Sequence, residues 1–243
     1  MMKLSNSSFV AHTRLSAFMS APRSAEITKI TPHHVGANAT VEAIGQVFAT
    51  PGRNASSNYG IGSDGRSGLY VEEKNRSWCS SSSANDNAAV TIEVANKSGA
   101  PSWTVSDAAW ESLIELCVDI CHRNPGIKQK DGRPGLYCDD TPNASLTFHW
   151  YFAATGCAQP FIWDRRQQLC SEVNRRLNQK DKEDEPMQEP IYSKIEDVPA
   201  WARPTVEKLV EAGALQGDDS GLNLPYSMLR MFVIHDRMGI YGK

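Results

Sequence analysis

The segment Leu146-Thr-Phe-His-Trp-Tyr-Phe-Ala-Ala-Thr-Gly-Cys157 carries a histidine, His149, and a cysteine, Cys157, with seven residues between them. Imidazole and thiolate are both good zinc ligands. Leu146 and Phe148 read as a strand that delivers the imidazole, and the short loop that follows delivers the thiol. Far upstream, Ile27-Thr-Lys-Ile-Thr-Pro-His33-His34 is a second strand-like run that ends in histidine. Together the two segments can supply two histidines and one cysteine and leave a fourth tetrahedral position for water. An open position marks a catalytic rather than a structural zinc site.

These groups need elements to hold them. Ala25–Pro32 reads as a strand rich in β-branched residues, and Thr40–Ala49 as a short helix with Val41, Ile44, Val47 and Phe48 on one face. Asn58–Gly62 and Ser67–Val71 flank Asp64-Gly65, which favours a tight turn, so a hairpin is expected. Ala89–Ala95 is a mostly apolar run that suits a central buried strand, which makes Glu93 inside it unusual. Ser106 is an N-cap for a helix running to about Arg123 and stopping before Pro125. Leu146–Trp150 is expected as a third strand. Asp164–Leu177 is expected as a helix with Leu169, Cys170, Val173 and Leu177 inward.

Composition sets the outer bounds. The 243 residues suffice for one domain of about 150–200 residues and something small. A net charge of −3 implies no general surface for nucleic acid. The excess is uneven: 17 basic and 16 acidic residues up to Gln179, then 8 basic and 12 acidic. The six cysteines lack the density of a disulfide scaffold. Cys117 and Cys121, four apart on an apolar helical face, read as small buried hydrophobes. No run is apolar enough for a signal peptide or for membrane insertion. The expectation is synthesis in a reducing cytoplasm, with any work outside it needing another route across the membrane.

The expected organisation is an irregular lead-in at 1–24, a main domain at 25–178, a charged Pro-bounded linker at 179–190 and a small helical module at 191–243. About fifty residues is little core for independent stability, so the module is expected to lean on a second copy or a ligand.

The ordered set of segments resembles a known family. Ile30-Thr-Pro-His-His34, Asn58-Tyr-Gly-Ile-Gly-Ser-Asp-Gly65, Glu72-Glu-Lys-Asn-Arg-Ser-Trp-Cys79, Asn85-Asp-Asn87 leading into Val90-Thr-Ile-Glu-Val-Ala95, and the His149/Cys157 pair follow one another over about 150 residues. Each is weak alone, but the order is specific. Residues 1–177 resemble the zinc-dependent N-acetylmuramoyl-L-alanine amidases of the peptidoglycan-recognition and T7-lysozyme type, especially endolysins of phages of Gram-positive, clostridia-like hosts.

The resemblance implies an α/β fold, with a central mixed sheet flanked by helices, acting on bacterial peptidoglycan. It implies that His33, His149 and Cys157 hold Zn2+, that Tyr59 stands beside the attacking water, and that Glu93 is the catalytic base. Where some branches place a lysine two residues before the cysteine ligand, this chain has Thr155, which cannot supply the same charge. The chemistry is coherent in itself. Zinc brings the pKa of a bound water to about 7, Glu93 can take a proton, and Tyr59 or Thr155 can donate to the oxyanion. His34, Asn58, Trp78 and Trp150 are candidates for lining the substrate groove, with packing roles the alternative. Val198-Pro-Ala-Trp-Ala-Arg-Pro-Thr-Val-Glu-Lys-Leu-Val-Glu-Ala-Gly213 resembles one S-layer-homology-type helix. Cell-wall attachment and self-association are both open for that module. The biological role implied is host lysis, with a holin or membrane damage giving access to the wall, and a prophage-derived or bacterial autolysin is the alternative. Two rivals remain: a non-catalytic peptidoglycan-binding protein of the same fold, and a wall cysteine peptidase using Cys79 or Cys157.

Overall fold

The computed structural model describes residues 5–184 and 189–242. Two compact units divide the chain, Met1–Lys182 and Glu183–Lys243. In chain order the first contains β1 (Val10–Thr13), β2 (Met19–Ser20), β3 (Lys29–His34), α1 (Val41–Ala49), β4 (Tyr59–Ile61), β5 (Ser67–Leu69), β6 (Arg76–Ser77), α2 (Ser83–Ala88), β7 (Ala89–Val94), α3 (Asp107–Arg123), α4 (Phe161–Asp164) and all but the last two residues of α5 (Arg166–Asp184). Five strands form one mixed sheet in the order β1-β5-β4-β7-β3. The β3–β7, β4–β7 and β1–β5 pairs are parallel, and β4–β5 is the antiparallel hairpin that Asp64-Gly65 signals.

Alternation along the strands gives the sheet two different faces. Ile30, Tyr59, Val90 and Ile92 pack with Leu113, Leu116, Cys117 and Ile120 of α3 and with Leu169, Val173 and Leu177 of α5. Each such fully buried aliphatic side chain contributes about 1.5–3 kcal/mol. The helix that supplies most of this face starts where its sequence says, with the Ser106 hydroxyl accepting from the Ala109 amide. The other face carries Thr31, His33, Thr91 and Glu93. Part of it is covered by α1 through Ile44 and Phe48, which pack on Tyr70. The Tyr70 ring lies over Gly60, where an added Cβ would stand 2.6 Å from it. Only glycine lets that ring approach the sheet.

Three expectations are corrected. The lead-in at 1–24 is not irregular throughout: Val10–Thr13 adds a parallel edge strand to the main sheet and Met19–Ser20 pairs with Arg76–Ser77. The Arg23 guanidinium ties this segment down by donating to the carbonyls of Glu73, Asn75, Asp86, Asn87 and Ala89. Leu146–Trp150 is not a strand. Leu146 makes one isolated bridge to Ile30, and His149–Tyr151 is a 3-10 turn. The helix expected to end near Leu177 continues through Asp184 as α5, into the stretch expected to be linker. The expected lead-in at residues 1–4 and linker at 185–188 lie outside the described residues.

The second unit contains β8 (Ile191–Tyr192), α6 (Arg203–Glu211), β9 (Leu224–Pro225) and α7 (Tyr226–Arg237). The two short strands pair antiparallel. Val198, Ala202, Val206, Leu224, Leu229 and Val233 form its core. No described helix is long and apolar enough to cross a membrane.

Candidate active site

The parallel pairing of β3 with β7 sets His33 opposite Glu93. Ser145–Thr147 runs along the free edge of β3: the Ile30 amide donates to Ser145 O at 2.8 Å and the Thr147 amide to Ile30 O at 3.0 Å. The Thr31 and Thr147 hydroxyls meet at 2.8 Å on the polar face. The 3-10 turn then lifts His149 onto that face, its ring centroid 5.0 Å from that of His33.

Cys157 closes the cluster. Its Sγ lies 3.5 Å from His33 Nδ1 and accepts from the His34 amide at 3.3 Å. One ligand atom each from His33, His149 and Cys157 falls within 4.8 Å of the others. Burial lowers the pKa of His33 well below the ordinary histidine value, helped by His149 and His34, and burial lowers that of His149 too. Both imidazoles are thereby held neutral, the form that binds metal. His33 Nε2 is buried with no partner. Two neutral imidazoles and a cysteine are a donor set that fits zinc.

Glu93 lies across from this cluster. Burial pushes its carboxyl up to about 7, against the opposing pull of Arg53 and the Cys79 thiol. Cys79 Sγ stands 3.9 Å from Glu93 Oε1, and Oε2 is buried without a partner. The loop carrying Cys79 is fixed by Asp86, which accepts from the amides of Cys79 and Ser80 and from the Ser80 hydroxyl. Two residues on, Ser81 Oγ meets His149 Nε2 at 3.1 Å.

A groove of about 930 Å³ opens over the cluster. Thr155, His34 and Trp78 line it, as do Arg53, Arg76 and Val47. Thr155 Oγ1 accepts from the Cys157 amide at 3.3 Å, which leaves its own proton free to donate. Trp78 Nε1 donates to Ser20 Oγ at 3.0 Å, fixing the indole.

Three expected site residues are elsewhere. Tyr59 points to the apolar face, because it is Gly60, and not Tyr59, that pairs with Glu93. The fully buried Tyr59 hydroxyl donates to Glu73 Oε1 at 2.6 Å and accepts from the Ser7 amide at 2.8 Å. Its pKa is raised by burial and by Glu73. That carboxylate is paired with Arg123 at 2.7 Å and accepts from Asn124, so Tyr59 belongs to a buried polar network remote from the groove. Asn58 is fully buried and braces the hairpin, donating to Val71 O at 3.1 Å and accepting from the Thr91 amide at 3.2 Å. Trp150 packs edge-on against Trp163, centroids 4.7 Å apart, instead of lining the groove.

Arg53, Arg76, Ser81 and Asp86 were not singled out from the sequence. The N-cap at Ser82 marks the loop that holds Ser81. Nothing in a 68-residue separation ties Ser81 to His149. Arg53 stands on a loop, and Arg76 on a two-residue strand too short to show a pattern of its own.

Solved structures of similar shape include a mutant of PlyL (TM-score 0.51, 9% identity, 67% of this chain and 97% of that one). They also include a selenomethionine AmpD derivative (0.49, 15%, 70% and 98%). A third is the endolysin N-acetylmuramoyl-L-alanine amidase LysCS from Clostridium intestinale URNW (0.46, 15%, 68% and 97%). At such identities the PlyL likeness establishes a shared fold. No curated protein matches the chain. Residues 23–156, the span that holds four of the five strands of the main sheet together with His33, Glu93 and His149, match the profile described as N-acetylmuramoyl-L-alanine amidase, and the chain belongs to that family.

Proposed function

We propose that this amidase cuts the bond between the lactyl group of N-acetylmuramic acid and L-alanine of the stem peptide at a zinc ion held by His33, His149 and Cys157. The observation that carries the reading is the convergence of those three side chains, from two distant segments, beside a buried carboxylate. Zinc, when bound, polarises the scissile carbonyl and makes a water acidic enough to attack near neutral pH. Glu93 accepts the proton that the attacking water gives up, and a carboxyl near 7 is matched to that task. It then returns the proton to the leaving L-alanine nitrogen. Thr155 lines the groove, and its hydroxyl is the chain's own donor to the developing oxyanion, now that Tyr59 is committed to Glu73. Trp78 and His34 form groove wall against the substrate.

A thiol peptidase is disfavoured by the same environment. Burial beside Glu93 raises the pKa of both Cys79 and Cys157, the reverse of what an attacking thiolate needs. The biological role we propose is lysis of a Gram-positive host from within, after a holin or damage admits the protein to the wall.

The test is mass spectrometry of fragments released from Gram-positive peptidoglycan, with metal-free and zinc-restored protein. Stem peptides beginning at L-alanine should appear only with zinc. A protein that binds zinc stoichiometrically and releases nothing would instead be a wall-binding protein. Cuts within the stem that survive chelation and stop on thiol alkylation would make it a cysteine peptidase.

A further inference from the structure

We propose that Cys79 and Glu93, with His33, form a second site for a soft divalent cation, beside the His33, His149 and Cys157 cluster, and that filling it inhibits the enzyme. One ligand atom from each of His33, Cys79 and Glu93 lies within 4.8 Å of the others. His33 serves both groups, and an imidazole has two nitrogens with which to do so. Cys79 and Glu93 belong to the second group alone.

Two orphaned atoms point to a missing positive partner. His33 is 1% exposed and its Nε2 has no hydrogen bond. Glu93 Oε2 is likewise buried and unbonded. Buried polar atoms without partners are uncommon and call for an explanation such as an ion. Among the described residues, the one hydrogen bond to the Glu93 carboxylate comes from the Cys79 thiol, at 3.9 Å. All three residues line the groove, so an ion can reach them from solvent.

Binding replaces the Cys79 S–H with a sulfur–metal bond and the remaining His33 N–H with a nitrogen–metal bond, so that His33 bridges the two ions as an imidazolate and both protons leave to solvent. The same ion takes up the Glu93 carboxylate, which can then no longer accept a proton from the attacking water. A thiolate ligand selects zinc or cadmium over magnesium or calcium. Excess zinc therefore silences the enzyme that the first zinc ion activates. The inhibition rests on the function proposed above, whereas the metal count does not.

The test is equilibrium dialysis of the full-length, metal-free chain against Zn2+, repeated with Cd2+ while the thiolate-to-cadmium absorption is followed. Wild type should take two ions per chain, the second at least roughly tenfold more weakly, and each cadmium should add one thiolate's absorption. Cys79→Ser should take one ion and show one increment. Activity of the wild type should rise with the first ion and fall as the second binds, and Cys79→Ser should not show the fall. Should Cys79→Ser fail to fold by circular dichroism, Glu93→Gln is read for ion count in its place. Saturation of the wild type at one ion overturns this inference and leaves the amidase reading standing, as does a second ion that persists in the variant. Failure to bind any ion overturns this inference and the zinc reading of the first site together.

Discussion

His33 and Glu93 are register partners on adjacent parallel strands, β3 and β7. Neighbouring strands stand about 4.8 Å apart, so the backbone ladder alone fixes the spacing of a ligand and the proposed base. Both strands are built into the central sheet, β7 lying between β4 and β3. His149 and Cys157 are held differently, by a 3-10 turn and the loop that follows it. The site thus joins a rigid half to a half that depends on loop packing.

Replacing Glu93 by glutamine tests the base. The variant keeps the shape of the side chain and loses the proton acceptor. The rate constant for release of L-alanine-terminated peptides should fall by roughly 10²–10⁴, while the ion held by His33, His149 and Cys157 is retained on dialysis. An unchanged rate would remove Glu93 from the mechanism.

Tyr59→Phe separates structure from chemistry. The hydroxyl braces the buried Glu73 carboxylate and sits on the α3 side of the sheet. Its loss should cost about 1–2 kcal/mol in a urea melt and leave kcat within about twofold of wild type, since a rate effect of that size is under 0.5 kcal/mol. A loss of kcat with unchanged stability would return Tyr59 to the reaction.

The sequence made the long elements legible where periodicity was strong: the helix from Ser106, the strand around Glu93 and the hairpin around Asp64-Gly65 all form. His33, His149 and Cys157 could be picked out because imidazole and thiol stand next to strand-like runs. The face on which Tyr59 points could not be read, since a one-residue change in register reverses it. That register is set by the pairing of Gly60 with Glu93, 33 positions apart, and no local pattern encodes it. The 3-10 turn at His149 was hidden for a related reason. Phe148, Trp150 and Tyr151 look like strand residues, yet they turn inward to meet Trp163, a tertiary contact that overrides β propensity. Val10–Thr13 escaped notice because it is a four-residue edge strand with alternating half-buried and exposed positions.

Thr155 tests whether a hydroxyl has taken over a donor's task. Thr155→Val keeps the branched shape and deletes the proton, and Thr155→Ser keeps the proton. Valine should lower kcat by about 10²–10³-fold with KM little changed, and serine should restore most of the loss. Equal activity of both would leave Thr155 as a spacer whose oxygen merely accepts from the Cys157 amide.

The C-terminal unit makes a prediction independent of the catalytic chemistry. Its helix α7 turns Leu229 and Val233 inward, while Met231, Ile234 and Met238 are 49%, 51% and 70% exposed. Those three recur at intervals of three and four, so they form a continuous apolar stripe on the outer side of one helix. Arg230 and Arg237 flank it and are exposed, whereas α6 exposes Glu207 and Glu211. An apolar stripe edged by one charge, on a unit that offers the opposite charge elsewhere, suits a second copy of the chain. We therefore expect the full-length protein to associate in light scattering at micromolar concentration. Ile234→Asp should shift it to a monomer with the helical circular dichroism intact, because the side chain contributes nothing to the unit's core. Higher salt should weaken the association, since the flanking charges are exposed and screened. A monomer at all concentrations would leave the stripe to the cell wall, and then Ile234→Asp should reduce retention on purified peptidoglycan instead.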